Sequence, residues 1–140
     1  GAQCRAAPLI KCLEIEPIPT GYLLIDSGHT ASAEFMSDTR PIPREKPSIA
    51  MAHALAAEYL GMRLVYLEAG SGARLPVPSD MIRQVRDYVS IPLIVGGGIR
   101  DPQTASDKVD AGADFIVIGT ILEEQGTRQL IRDFADAIHR

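Results

Sequence analysis

The sequence predicts an α/β fold built on a parallel sheet. Three observations carry that prediction. Apolar, β-branched stretches near residues 64, 92 and 114 alternate with helical patterns, the alternation that marks βα units when the helices run about 10–15 residues. Those stretches are apolar throughout rather than at every second position, as strands covered on both faces are. The glycines and small polar residues gather just after the strands, where α/β proteins bind their ligands.

Each element has its own signal. Residues 1–13 read as a helix, with Ile10 and Leu13 three apart and Pro8 limiting its regularity. "PIPT" (17–20) punctuates, and "GYLLID" (21–26) is a short apolar strand. The polar stretch 27–47 carries Pro41, Pro43 and Pro47, which forbid a long helix. "SIAMAHALAAEYLG" (48–61) is the clearest helix: Ser48 is placed to cap it, Ala52, Leu55, Ala56, Tyr59 and Leu60 recur at helical spacing, and Gly61 ends it. "RLVYLEAGSGA" (63–73) is a strand running into a glycine-serine loop. Ser79 opens a helix over 79–89 with Ile82, Val85 and Val89 on one face, and "IPLIV" (91–95) is the next strand. Asp101 as cap and Pro102 at the first position start a helix that Gly112 ends. "DFIVIGT" (114–120) is the last strand, and Thr127 caps a final helix with Leu130, Ile131, Phe134 and Ile138 inward.

The 140 residues, net charge −4 and 46% apolar content fit one soluble globular domain spanning 1–140. No basic cluster or aromatic-basic interleaving points to nucleic acid. No apolar run approaches the roughly 18 residues of a membrane span. The start, Gly1-Ala2-Gln3, lacks a methionine and reads as a processed protein, a tag scar or a fragment; no charged-then-apolar leader is visible. Cys4 and Cys12 match no metal-ligand spacing and are expected to be small buried hydrophobes in a reducing cytoplasm.

Two loops suggest chemistry. Gly96, Gly97 and Gly98 follow one strand, and Gly119-Thr120 follows the next. Bare backbone N–H groups can wrap an oxygen-rich anion, and a helix N-terminus adds favourable partial charge. In (β/α)8 barrels the phosphate site is commonly built from the loops after strands 7 and 8, and these two loops are consecutive and near the chain end. Neither is a GxGxxG or a Walker loop. The plain alternative is that the glycines only make tight turns.

Strand alternation places Leu64, Tyr66 and Glu68 on one face and Val65 and Leu67 on the other. If the latter pair meets helices, Tyr66 and Glu68 point into the mouth of the barrel. A carboxylate there accepts a hydroxyl hydrogen bond or acts as a general base; the plain reading is an ion pair holding a loop. Gly70, Ser71 and Gly72 let the following loop pass close to a ligand. His29, His53 and His139 show no metal-ligand spacing, and only His29 lies at the ligand end. Arg40, Arg44 and Lys46, with Glu34, Asp38 and Glu45, belong to the long 27–47 stretch, which is either a solvated loop or a wall of the site.

"YLEAGSGA", "IPLIVGGGIRDPQTA" and "AGADFIVIGTILE", with "PIPTGYLLI" and "SDTRPIPREKPSIA", resemble the geranylgeranylglyceryl phosphate synthase family, also called PcrB-like. The similarity runs over nearly the whole chain in one register. It implies a modified (β/α)8 barrel of TIM type. The implied activity joins the glycerol hydroxyl of sn-glycerol-1-phosphate to geranylgeranyl diphosphate or a similar prenyl diphosphate, releasing pyrophosphate, in ether lipid biosynthesis. Magnesium would help the diphosphate leave. By the same resemblance Tyr66 and Glu68 hold the glycerol hydroxyls and Glu68 is the base. Ala69, Gly70, Ser71 and Gly72 lie beside the glycerol phosphate, and Gly96, Gly97, Gly98, Gly119 and Thr120 supply its binding backbone. The lipid product implies work near a membrane surface.

The chain departs from the family in two ways. Members are longer, and Gly1-Ala2-Gln3 falls in the helix after their fourth strand. The chain therefore corresponds to the C-terminal half of a barrel, about four βα units, with the acidic magnesium ligand and much of the prenyl groove expected in the other half. "IDSGHTASAEF" also differs from the glycine-rich "EPGGT" loop of the family. Half a barrel leaves strand edges at both ends, so the expectation is either pairing with a second copy or with the other half, or a truncated chain or gene reading. Two other readings stand beside this one. An isomerase on a phosphate-binding barrel needs an acid and a base, with Asp26 as the only second candidate beside Glu68. A non-catalytic half-barrel that binds glycerol phosphate needs neither.

Overall fold

The computed structural model describes residues 2–28 and 39–139. It shows a four-stranded, all-parallel sheet in the order of the chain. The strands are β1 (Thr20–Leu24), β2 (Leu64–Glu68), β3 (Leu93–Gly96) and β4 (Phe115–Val117). The helices are α1 (Ala2–Cys12), α2 (Pro47–Tyr59), α3 (Ser79–Tyr88), α4 (Pro102–Asp110), α5 (Thr120–Gln125) and α6 (Arg128–Ile138). Four strands each followed by helix, all parallel and in sequence order, are half of a (β/α)8 barrel, as expected.

The core lies between the sheet and the helices. Val65 and Leu67 of β2 and Leu93 and Val95 of β3 are fully buried, facing Met81, Ile82 and Val85 of α3. A smaller cluster holds β4 to the end of the chain through Ile99, Ala105, Ile121 and Phe134. Asp101 caps α4 by accepting the Thr104 N–H at 2.8 Å, and Thr127 caps α6 by accepting the Leu130 N–H at 3.1 Å, both as the sequence predicted.

Several local expectations are corrected. Helix α2 begins at Pro47, whose ring suits the first helical position, and no side chain caps it, so Ser48 is not its cap. Its buried face is Ala50, Ala54 and Ala57, while Tyr59 and Leu60 are exposed. Close approach decides this: a Cβ on Gly21 of β1 would stand 2.6 Å from the Ala57 Cβ. Ser79 does not cap α3 either. Its Oγ accepts from the buried Lys108 Nζ at 2.9 Å. Burial draws the Lys108 amine below the ordinary lysine value. Ile131 faces outward at 52% exposure, because α6 packs through Phe134. Helix α5, six residues long, has no counterpart in the sequence reading.

Cys4 and Cys12 are exposed rather than buried. Helix α1 leaves most of its surface open, Leu9 included, so its apolar residues have no core to join among the described residues.

Candidate active site

Register assembles the site at the C-terminal ends of the strands. Leu24 pairs with Glu68, Glu68 with Gly96, and Gly96 with Val117. Two residues earlier, Tyr22 pairs with Tyr66, Tyr66 with Ile94, and Ile94 with Phe115. Period-2 alternation puts both rows on the face opposite the helix-covered core. That face is the concave interior of the half-barrel.

Glu68 is 7% exposed. Its Oε1 accepts the Gly70 N–H at 2.7 Å, and the Tyr66 hydroxyl donates to its carboxylate. The Tyr66 ring meets Tyr22 edge-on, with centroids 5.2 Å apart. Burial, then the hydrogen bond to Glu68 and its negative charge, then Tyr22, hold the Tyr66 hydroxyl well above the usual tyrosine range. Burial, reinforced by the charge of Glu68, pushes the Tyr22 hydroxyl up to about 12. Both phenols are therefore protonated donors at neutral pH. A carboxylate fixed by an N–H and a phenol keeps its orientation and can take a proton from a bound hydroxyl.

The glycines of the first loop are demanded by the protein itself. A Cβ on Gly96 would stand 2.5 Å from the Tyr66 hydroxyl and 2.7 Å from Glu68 Oε2. On Gly97, at φ +81°, it would stand 2.7 Å from both Glu68 Oε1 and the Gly70 nitrogen. On Gly98, at φ +70°, it would meet the Pro76 nitrogen at 2.8 Å. Gly72 and Gly119 differ, because a Cβ at either would meet nothing within 4 Å.

A cavity of about 270 Å³ opens between the loops. Of the residues singled out in the sequence, Glu68, Ser71, Gly72, Gly97, Gly98, Gly119 and Thr120 line it. Tyr66, Ala69, Gly70 and Gly96 stand behind that lining, and Tyr66 and Gly70 reach the cavity through their bonds to Glu68. The Gly72 N–H donates to Thr120 Oγ1 at 3.2 Å, tying the two sides together. Among the described residues, none of the hydrogen bonds outside helices and strands starts from the N–H of Gly97, Gly98, Gly119 or Thr120. Such free donors suit an anion.

Sequence reasoning missed Tyr22, Ala73, Ile99, Arg100 and Val117 as cavity residues. The period-2 pattern of β1 carried a signal for Tyr22, and the position directly after the glycines carried one for Arg100. The expected contribution from a helix N-terminus is revised for α4. Asp101 occupies that terminus, and its bonds to the Thr104 N–H and hydroxyl hold its carboxyl below the usual carboxylate value.

The remaining candidates lie elsewhere. Asp26 does not line the cavity, and its Oδ1 accepts the Gly28 N–H at 2.8 Å. Exposed His53 bonds the Ile49 carbonyl at 2.8 Å through Nδ1, and His139 is exposed at the tail. Arg44 ties two loops together, donating to the Asp26 carbonyl at 2.9 Å and to the Pro76 carbonyl at 3.1 Å. His29, Glu34 and Asp38 fall outside the described residues. Among the described residues no group of three or more His, Cys, Asp or Glu side chains is placed to hold a metal ion.

Geranylgeranylglyceryl phosphate synthase of Thermococcus kodakarensis is 51% identical over 140 residues, covering 100% of this chain and 55% of that protein. The Thermococcus gammatolerans enzyme of the same name is 54% identical over 132 residues, covering 94% of this chain and 52% of the relative. The chain thus spans about half the length of the curated relatives it matches. The crystal structure of (S)-3-O-geranylgeranylglyceryl phosphate synthase from Thermoplasma acidophilum, in complex with its substrate sn-glycerol-1-phosphate, superimposes with a TM-score of 0.91 at 41% identity. That match covers 97% of this chain and 55% of the other. The model of the PcrB family matches residues 1–138, and the chain belongs to that family.

Proposed function

We propose that this chain carries the acceptor half of a prenyltransferase that joins sn-glycerol-1-phosphate to geranylgeranyl diphosphate or a similar prenyl diphosphate. The observation that carries the reading is Glu68, buried, held by Tyr66 and Gly70, and facing a cavity whose other wall offers free backbone N–H groups. Likeness to the Thermoplasma enzyme, whose structure contains sn-glycerol-1-phosphate, supports the same acceptor. The phosphate rests against Gly97, Gly98, Gly119 and Thr120, with Ser71 and Gly72 alongside. The glycerol hydroxyl points to Glu68, which takes its proton as the oxygen bonds to the prenyl C1. The C1–oxygen bond to the diphosphate breaks, and pyrophosphate leaves. Magnesium belongs to that departure in the family, but the described residues supply no ligand set for it. No step assigned to this chain runs through the metal.

The concave face supports a covering partner. Tyr22, Phe115 and Val117 are 53%, 54% and 43% exposed there, and contiguous exposed apolar surface marks a site of interaction. A second copy, or the rest of a family-length chain, covers it, and sedimentation of this chain as a sharp monomer overturns the pairing. We place the reaction in the cytoplasm, at the membrane surface that receives its product.

Prenyl transfer from geranylgeranyl diphosphate to sn-glycerol-1-phosphate tests the assignment. Glu68→Gln is expected to slow transfer about 10²- to 10⁴-fold, the range for a lost general base, while acceptor binding persists. Undiminished turnover removes Glu68 as the base. Binding without transfer in the unaltered chain marks a glycerol phosphate binder instead.

A further inference from the structure

We propose that Arg100 is the counter-charge that makes this cavity select a phosphate-bearing acceptor over its uncharged analogue. The inference rests on the reading of the cavity as an acceptor site and adds a residue to it. Among the described residues lining the cavity, Arg100 is the only cation and Glu68 the only anion. The ion pairs among the described residues are Arg63–Glu16 and Arg86–Asp114, so the Arg100 guanidinium is committed to neither.

A phosphate monoester brings a charge of about −1.5 to −2 at pH 7. In this cavity it meets the Glu68 carboxylate. Asp101, next in sequence to Arg100, does not line the cavity, and its carboxyl accepts from the Thr104 N–H and hydroxyl. The N-terminus of α4, the usual source of compensating positive charge, is taken by that same carboxylate. Free N–H groups at Gly97 and Gly98 orient an anion but carry no net charge. A carboxylate and a dianion in one cavity repel unless a cation intervenes. Arg100 is two residues past Gly98, on the glycine side of the cavity, and a guanidinium there can bond two phosphate oxygens at once. Arg100 is exposed, where substitutions usually change stability little, so the charge effect can be read apart from stability.

Calorimetric titration of the intact chain with sn-glycerol-1-phosphate, inorganic phosphate and glycerol tests this, with Arg100→Gln and Arg100→Lys alongside. Arg100→Gln is expected to weaken both phosphate ligands about 10- to 100-fold, as loss of charge-assisted bonds does, and to flatten the decline of affinity with added salt. Arg100→Lys keeps the point charge but not the fork and should fall between. Thermal melting of each variant should match the unaltered chain. If sn-glycerol-1-phosphate binds and Arg100→Gln leaves its affinity and salt dependence unchanged, the inference is overturned while the acceptor reading stands. If inorganic phosphate binds and depends on Arg100 while sn-glycerol-1-phosphate binds no better, Arg100 is a counter-charge for phosphate alone, and both the acceptor reading and the selection of an acceptor fall. If neither ligand binds, both are overturned.

Discussion

The two glycine loops look alike in the sequence and behave differently in the fold. At 96–98 every position where a side chain would start is occupied by the protein: the Tyr66 hydroxyl, the Glu68 carboxylate, Gly70 and the Leu75–Pro76 backbone. At Gly119 that space is open. A glycine therefore reports that room is required without saying who requires it. The first loop is a fitted seat for Glu68, and the second is a wall facing the cavity.

Substitution separates the two. Gly97→Ala combines a positive φ with contacts near 2.7 Å and is expected to cost about 3 kcal/mol or more, read as a lower urea midpoint at unchanged slope. A cost below about 1 kcal/mol would mean that the seat is loose. A smaller effect follows from the phenols that share the packed side. Tyr22 holds its proton up to about 12 in the folded chain, against about 10 unfolded. A raised value means that its stabilisation is complete below pH 10 and is lost as pH climbs towards 12. The melting temperature should fall across that window, and less steeply in Tyr22→Phe. Equal slopes in the two proteins would detach Tyr22 from the Glu68 cluster. The smallest stability effect is at Gly119→Ala, expected within about 0.5 kcal/mol. Its methyl group nonetheless enters the cavity and should weaken phosphate binding. Stability loss equal to that of Gly97→Ala would erase the contrast between the loops.

Much of this architecture was legible in the chain, and the exceptions share a cause. Asp101-Pro102, Thr127 and the apolar face of α3 are local signals whose partners are a few residues away, and they hold. Phe134 and the alternation of Val65 and Leu67 hold for the same reason. The buried side of α2 was not legible, because an alanine-rich helix looks similar from every side. Its orientation is chosen by Gly21 across the interface. The exposure of Cys4 and Cys12 was hidden because burial depends on a neighbouring element, and α1 finds none among the described residues. In the site, Glu68 was visible as a carboxylate on an apolar strand, whereas Tyr22 and Arg100 emerge only once strand register and loop direction are known.

Arg44 carries a consequence for how chains of this kind can vary in length. Its guanidinium grips the Asp26 carbonyl, and beside it Ile25 and Ile42 form a parallel bridge. The two ends of the stretch from 26 to 44 are therefore held together. Loop-closure entropy rises only with the logarithm of length, about 0.6 kcal/mol for each doubling. Residues inserted between those ends are expected to leave the sheet register and the Glu68 seat in place. Descendants of one ancestor can thus lengthen, shorten or rewrite this stretch at little thermodynamic penalty, which makes it a natural place for related proteins to diverge.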